Sequence, residues 1–284
     1  MKHIVGFSGG IDSQACARWV LNRFPAEDVL LTNSNAGQWE DPLTMTFVDE
    51  YSAAVHPITR CNAKVKDMWE TPGYAERRGL DGEADLTFEE MCRIKGRPPS
   101  RKAQFCTTIL KLAPQRRWMR AVFGPGGIYE GQEYVRYTGV RREESNTRRE
   151  TPVERWDEWF DCQLIAPIVD WTKQMCFEYV KAHGEAINPL YTLGFGRVGC
   201  APCINSSKAD ILNWHARRPE MIDKVRGLEE RTGLTFFFPV DRDGVTNGID
   251  EVLRWAGTSR GGSQMRLTVL NERSGCESKY GLCE

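Results

Sequence analysis

The sequence predicts an α/β fold, a doubly wound, mainly parallel sheet with helices on both faces, followed by a mostly helical, cysteine-containing C-terminal extension. Three observations predict it. Short apolar strand candidates alternate with helix-period segments between His3 and Thr59. The first strand runs straight into a glycine loop that opens a helix, the position at which open α/β sheets bind ligands. From Gly194 onward the alternation gives way to Gly- and Cys-rich sequence with helical periods.

Residues 3–7 form the first strand candidate and residues 8–13 the glycine loop. A helix follows over residues 13–24, where Cys16, Val20, Leu21 and Phe24 recur at helical spacing. Residues 28–32 read as a second buried strand. Asp41-Pro42 marks a helix start, with an N-cap carboxylate ahead of a proline, and Phe47, Val48 and Tyr51 lie on one side of that helix. Residues 56–59 supply a third strand. Strands separated by helices pair in parallel, because each crossover returns the chain to the same end of the sheet. Residues 71–100 break the rhythm with a polar stretch containing Gly73, Gly79, Gly82, Gly96 and Pro98-Pro99, and are expected to be an insertion or lid. A helix is expected over residues 106–123, a strand over 134–140, and a helix from Thr172 to about His183. Further helices are expected at 209–217, 219–231 and 249–255. The expected division is a nucleotide-binding domain over 1–193 and an extension over 194–284 packed on it.

Composition narrows the function classes. The chain has 284 residues, 40% hydrophobic and 27% charged, enough to bury a sizeable core. A net charge of −1 excludes a protein that holds nucleic acid by its overall field, and leaves room for a local basic patch. There is no apolar run of about twenty residues, and the first strand reaches glycines too early for a signal peptide. The expected location is cytoplasmic, with no membrane partner. In a reducing compartment ten cysteines point to metal or redox chemistry wherever they cluster. Cys16, Cys61, Cys92, Cys162 and Cys176 do not cluster and read as small buried hydrophobes.

The loop Ser8-Gly9-Gly10-Ile11-Asp12-Ser13 combines glycines, which let backbone N–H groups approach an anion, with a helix N-terminus and two hydroxyl donors. Asp12 would repel a bare phosphate, so Mg²⁺ or an ordering hydrogen bond is expected beside it. No Gly-Lys-Ser/Thr follows, so this is not a Walker A loop, and the dinucleotide Gly-x-Gly-x-x-Gly spacing is missing.

Ser-Gly-Gly-x-Asp-Ser resembles the PP-loop of the ATP pyrophosphatase superfamily, with Ile11 where many members carry lysine. The segments Gly139-Val140-Arg141-Arg142-Glu143-Glu144-Ser145, Pro167-Ile168-Val169-Asp170-Trp171-Thr172 and Asn188-Pro189-Leu190-Tyr191 resemble the phosphoadenylyl-sulfate reductase family. The DNA phosphorothioation sulfurtransferases are a comparable match. The resemblance covers about residues 3–205 and implies an adenine nucleotide alpha-hydrolase-like fold. It also implies binding of ATP or an adenylyl sulfate nucleotide, with Mg²⁺, at Ser8, Gly9, Gly10, Asp12 and Ser13. Arg141 and Arg148 can grip phosphate or sulfate oxygens bidentately. Arg142, Arg149 and Arg155, interleaved with Glu143, Glu144, Glu150 and Glu154, read as a solvated surface, and Trp171 as a packing anchor. In the family the stretch after the second strand contacts the nucleotide, which nominates Asn33 and Glu40. Asp12, Ser13 and Arg141 are the expected catalytic residues.

Gly199-Cys200-Ala201-Pro202-Cys203 places two thiols on one turn with a stiffening proline, too few for a closed four-coordinate centre. The candidates for completing it are Cys106, Cys276 and Cys283. Cys106 lies where iron–sulfur members of the family have adjacent cysteines, Phe105 taking the first place. The implied set is Cys106, Cys200 and Cys203, with Cys276 or Cys283 or an outside ligand as the fourth. A [4Fe–4S] cluster, Zn²⁺, a dithiol pair and a redox-inert pair that merely packs all remain open. Residues 275–284 lack the Glu-Cys-Gly-x-His motif with which thioredoxin-linked reductases end.

These features together imply an ATP-dependent sulfur-transfer enzyme. It would adenylate an acceptor with release of pyrophosphate and deliver sulfur from a cysteine or iron–sulfur centre. A sulfonucleotide reductase and a non-catalytic nucleotide-binding module are the alternatives. The partners implied are an adenosine nucleotide and a sulfur-donor or reductant protein, with nucleic acid one option for the acceptor.

Overall fold

A computed structural model of the protein describes residues 1–69, 79–237 and 248–258. Among these residues six strands form one sheet: β1 (Lys2–Gly6), β2 (Val29–Asn33), β3 (Ile58–Arg60), β4 (Tyr134–Tyr137), β5 (Glu154–Asp157) and β6 (Cys162–Ile165). The spatial order is β3-β2-β1-β4-β6-β5, parallel throughout except for β5, which runs antiparallel to β6 at the edge. The helices are α1 (Ile11–Leu21), α2 (Pro42–Ala54), α3 (Val65–Trp69), α4 (Phe88–Lys95), α5 (Phe105–Thr107), α6 (Ala113–Phe123), α7 (Lys173–Ala182), α8 (Pro189–Thr192), α9 (Lys208–Arg217), α10 (Pro219–Thr232) and α11 (Ile249–Ala256).

The doubly wound arrangement follows from the two-residue period of a strand. On β1, Val5 joins Leu31 and Tyr137 in a core covered by α1, α2 and α7. Its neighbour Ile4 faces the other way, into a core built with Leu112, Met119 and Phe160. Both faces of β1 are therefore buried, which is why the strand reads as an unbroken apolar run. Each fully buried aliphatic side chain contributes about 1.5–3 kcal/mol by transfer out of water. A third core joins Trp39, Phe88, Met91 and Leu110 to Phe195, Trp214, Leu228 and Ile249, so residues beyond 194 share buried surface with the sheet's loops. No helix among the described residues is long and apolar enough to cross a membrane.

Local signals explain the helix boundaries. Asp41 accepts a hydrogen bond from the Leu43 amide (2.8 Å) with Pro42 at the first helical position of α2. Thr172 caps α7 through the Met175 amide (3.2 Å). Residues 79–100, within the expected insertion, contain α4, which Thr87 caps and which stops at Gly96 in the left-handed region (φ +68°). Phe88, Met91 and Cys92 of α4 are buried. Two strands, β5 and β6, fall where no strand was anticipated. β5 reads Glu-Arg-Trp-Asp with its first three residues exposed, so an apolar pattern never marks it; pairing with β6 forms it. The helix expected over 106–123 is present from Phe105, interrupted by one π-turn at Thr108–Leu112.

Candidate active site

The strand order reverses at β1, whose neighbours β2 and β4 lie on either side, and the loops leaving their carboxyl ends define a crevice. The glycine loop leaves β1 and enters α1. Gly9 is left-handed (φ +84°), and a Cβ there would meet Thr44 Cγ2 at 3.0 Å and Val48 Cγ2 at 3.1 Å. Only glycine meets both conditions without strain. The serines brace the loop from within: Ser13 Oγ donates to the Gly10 carbonyl (2.9 Å) and accepts from the Ser8 amide (3.1 Å) and Ser8 Oγ (3.0 Å).

Asp12 and Arg141 meet beneath the loop. Arg141 Nε lies 2.8 Å from Asp12 Oδ2, with both side chains at most 5% exposed, and Arg141 Nη1 reaches Glu143 Oε2 at 2.7 Å. Burial works against the guanidinium charge, but the carboxylates of Asp12 and Glu144 outweigh it and hold the Arg141 pKa above its ordinary range. Arg148 pairs with Glu144 one helical turn away, so both arginines are engaged by carboxylates. The charged group beside Asp12 is thus Arg141, through an ion pair. Asp12 Oδ1 is buried without a hydrogen-bond partner.

The backbone after β4 is pressed against α1. A Cβ on Gly139 would lie 2.6 Å from the Asp12 carbonyl oxygen and 2.9 Å from the Ser13 amide nitrogen. Within the Gly139–Ser145 motif, glycine at position 139 is what permits this close backbone approach.

Asn188 and Tyr191, also without an assigned role in the sequence, support the loop from the far side. The wholly buried Asn188 donates from Nδ2 to the Gly9 carbonyl and to Thr44 Oγ1, both at 3.2 Å, while Oδ1 accepts from the Leu190 amide. Tyr191 hydroxyl accepts from the Ile11 amide at 2.9 Å, at the first turn of α1. Replacing Asn188 by alanine leaves the Gly9 carbonyl and Thr44 hydroxyl without this donor. The expected cost is about 1–3 kcal/mol in urea denaturation, together with a weaker affinity of the loop for any anion it binds, read by calorimetry. An unchanged midpoint and affinity would show that the contact is dispensable.

Asn33 and Glu40 take different places. Asn33 is buried behind the loop, donating to the Phe7 carbonyl (2.8 Å) and accepting from Arg60 (2.5 Å). Glu40 sides with the cysteines rather than the glycine loop. Its backbone forms an antiparallel bridge with Cys200, and its carboxylate pairs at 3.2 Å with Lys111, both side chains being at most 6% exposed. Lys111 carries no sequence signal beyond its place in a helix.

Cys106, Cys200 and Cys203 line one pocket together with Ala36, Thr107 and Lys111. The turn carrying the last two thiols is fastened to the loop after β2: Trp39 Nε1 donates to the Pro202 carbonyl (3.0 Å) and the Ala201 amide to the Trp39 carbonyl (3.1 Å). Ser34 on the same loop donates to the Lys111 carbonyl (3.1 Å), which ties the π-turn into the arrangement. Among the described residues no three His, Cys, Asp or Glu side chains form a ready metal-binding group. Cys276 and Cys283 lie outside the described residues. Cys16, Cys61, Cys92, Cys162 and Cys176 are buried, and burial pushes the thiols of Cys61 and Cys92 up to about 12.

Comparison with known proteins adds independent findings. Residues 2–206 match the phosphoadenosine phosphosulfate reductase domain family. An uncharacterized 37.8 kDa protein of Escherichia phage 186 is 31% identical over 99% of this chain and 96% of its own length. An adenosine 5'-phosphosulfate reductase of Allochromatium vinosum is 30% identical over 46% of this chain, and the match spans 41% of that reductase. Among solved structures, a phosphoadenylyl-sulfate reductase from Candida auris is 16% identical with a TM-score of 0.45, over 70% of this chain and 81% of that one.

Proposed function

This chain belongs to the phosphoadenosine phosphosulfate reductase domain family and is an enzyme of that PP-loop type; from that premise we propose that it transfers sulfur to an acceptor activated by ATP. One observation carries the reading. Residues 188–203 form a strap that holds the glycine loop at one end, through Asn188 and Tyr191, and carries two thiols of the cysteine pocket at the other. An anion-binding loop and a sulfur-handling pocket are thereby built into one unit.

In this reading the loop amides and the α1 N-terminus receive the phosphates of ATP and stabilise the negative charge that develops on the leaving group. Arg141 acts as a positioning residue, holding Asp12 Oδ2 so that Oδ1 points to one fixed place. That buried, unpartnered oxygen fits a Mg²⁺ ligand, and the ion would neutralise phosphate charge when bound. Cys106, Cys200 and Cys203 share a pocket without forming a ready metal group. Thiolates are nonetheless the soft donors an iron–sulfur cluster or Zn²⁺ takes, and these three would hold one with a fourth ligand from Cys276, Cys283 or outside the chain. A cluster there would supply a site for binding or passing on sulfur. A sulfur-donor or reductant protein is the expected partner.

Radiolabelled ATP and a competent acceptor are expected to yield AMP and pyrophosphate. ADP as the sole product while acceptor is consumed would defeat the proposal. Anaerobically purified protein is expected to carry about four iron and four sulfide per chain, as a [4Fe–4S] centre requires, and Cys200→Ala to lose most of both. Protein with neither iron nor zinc, and unaffected by the substitution, would remove the metal centre from the reading.

The similarity to adenosine 5'-phosphosulfate reductases favours a second reading, reduction of a sulfonucleotide without ATP cleavage. It requires reductant-dependent sulfite release from an adenylyl sulfate, and failure to bind such nucleotides rejects it.

A further inference from the structure

Two stretches of the chain are dense in arginine, and the structure separates their uses. Between residues 141 and 155, Arg141, Arg142 and Arg148 are committed to Asp12, Asp170 and Glu144, while the exposed Arg149 and Arg155 stand next to Glu150 and Glu154 in the chain. Residues 93–102 hold five basic side chains, Arg93, Lys95, Arg97, Arg101 and Lys102, and no acidic one. Arg93 pairs with Glu89 at 2.9 Å. Arg97, Arg101 and Lys102 are exposed and have no carboxylate partner among the described residues.

Their presentation is organised. Reciprocal backbone bonds between Ser100 and Ala103 (3.2 and 3.0 Å) close a turn whose tip is Arg101-Lys102. Gln104 Nε2 donates to the Arg101 carbonyl (3.2 Å) and steadies that tip. Lys95 and Arg97 both lie over the Phe105 ring, at 5.2 and 5.1 Å from its centroid. Gln104 and Cys106, which flank Phe105, line the thiol pocket. Lys95 and Arg97 therefore pack on the residue between two that line the pocket, in a chain whose net charge is −1.

The chemistry of the patch selects its partner. Protein interfaces centre on aromatic and aliphatic anchors, beside which arginine is the one charged residue favoured. Here Pro98 and Pro99 are buried, and none of the exposed large hydrophobic side chains falls within 93–102. Exposed guanidinium forks with no apolar anchor match phosphate oxygens. We propose that the surface formed by Arg97, Arg101 and Lys102, with Lys95 behind them, docks a nucleic-acid backbone and so brings a nucleic-acid acceptor to the thiol pocket. The docking stands on the patch alone, whereas the acceptor role rests on the sulfur-transfer reading above.

The test is fluorescence anisotropy with labelled duplex and single-stranded oligonucleotides of about 20 nucleotides, at about 50–200 mM salt. The full chain is expected to bind with a steep salt dependence. The triple variant R97A/R101A/K102A should bind at least about tenfold more weakly and lose about 2–3 from the log–log salt slope, at ~0.9 per phosphate contact. Unchanged ATP binding certifies that the variant is folded, and Lys181→Ala, a cation on α7, should bind like wild type. Binding by the triple variant equal to wild type, or no binding by wild type at the lowest salt, would overturn the proposal. Polyglutamate bound as tightly as duplex would also overturn it, assigning the patch to an acidic protein. Failure to form AMP while oligonucleotide binding persists strikes the sulfur-transfer reading and leaves the docking site standing.

Discussion

Arg141→Ala is expected to abolish nucleotide turnover and to destabilise the protein by roughly 3–5 kcal/mol, the cost of removing one member of a buried ion pair. The reason is what the substitution leaves behind. Asp12, with a side chain 3% exposed, loses its 2.8 Å partner, and its other oxygen already lacks a hydrogen bond. Glu144 loses a second neighbouring cation and keeps Arg148 alone. Such a group escapes by taking up a proton or by pulling water into the core, and either disturbs the first turn of α1. Arg141→Lys should recover little, because a single ammonium cannot reproduce a fork spanning Asp12 and Glu143. Urea denaturation gives the stability change and AMP release the activity. A variant with near-wild-type stability would show that Asp12 does not depend on Arg141.

Gly139→Ala, one methyl group, is expected to weaken ATP binding by at least about tenfold at a stability cost of about 1–3 kcal/mol, typical of overpacking. The added carbon would lie 2.6 Å from the Asp12 carbonyl oxygen and 2.7 Å from its carbon. These are backbone atoms of α1, so the clash cannot be relieved by turning a side chain. The helix start must move away from β4, and the glycine loop moves with it. Calorimetric titration with ATP, beside a denaturation curve, separates the two effects. Unaltered affinity would mean that the loop tolerates displacement.

Much of this architecture is legible in the sequence because single local rules specify it. The strands β1 and β2 announce themselves by apolar runs, α2 by Asp41-Pro42, and the glycine loop by its position between β1 and α1. What escaped reading depends on contacts between distant residues. β5 is polar and exists through its pairing with β6. Glu40 was placed by its neighbourhood in the chain, whereas a bridge to Cys200 and an ion pair with Lys111 decide where it points. Arginine density alone could not distinguish Arg141, locked under the loop, from Arg101, displayed on a turn. Asn188 and Tyr191 stood in a motif, but their hydrogen bonds to Gly9 and Ile11 cross most of the chain.

The strap from Asn188 to Cys203 makes occupancy of the two sites a matter of thermodynamic reciprocity. A free energy by which bound nucleotide shifts Gly9 and Ile11, and through them the cysteine turn, is returned in full when the thiols are oxidised, metallated or loaded with sulfur. Such a coupling has no preferred direction. If nucleotide binding and cysteine state are coupled through the strap, each would shift the other by the same factor. Under the proposed function, sulfur loaded at the pocket would register in how tightly the loop holds its nucleotide.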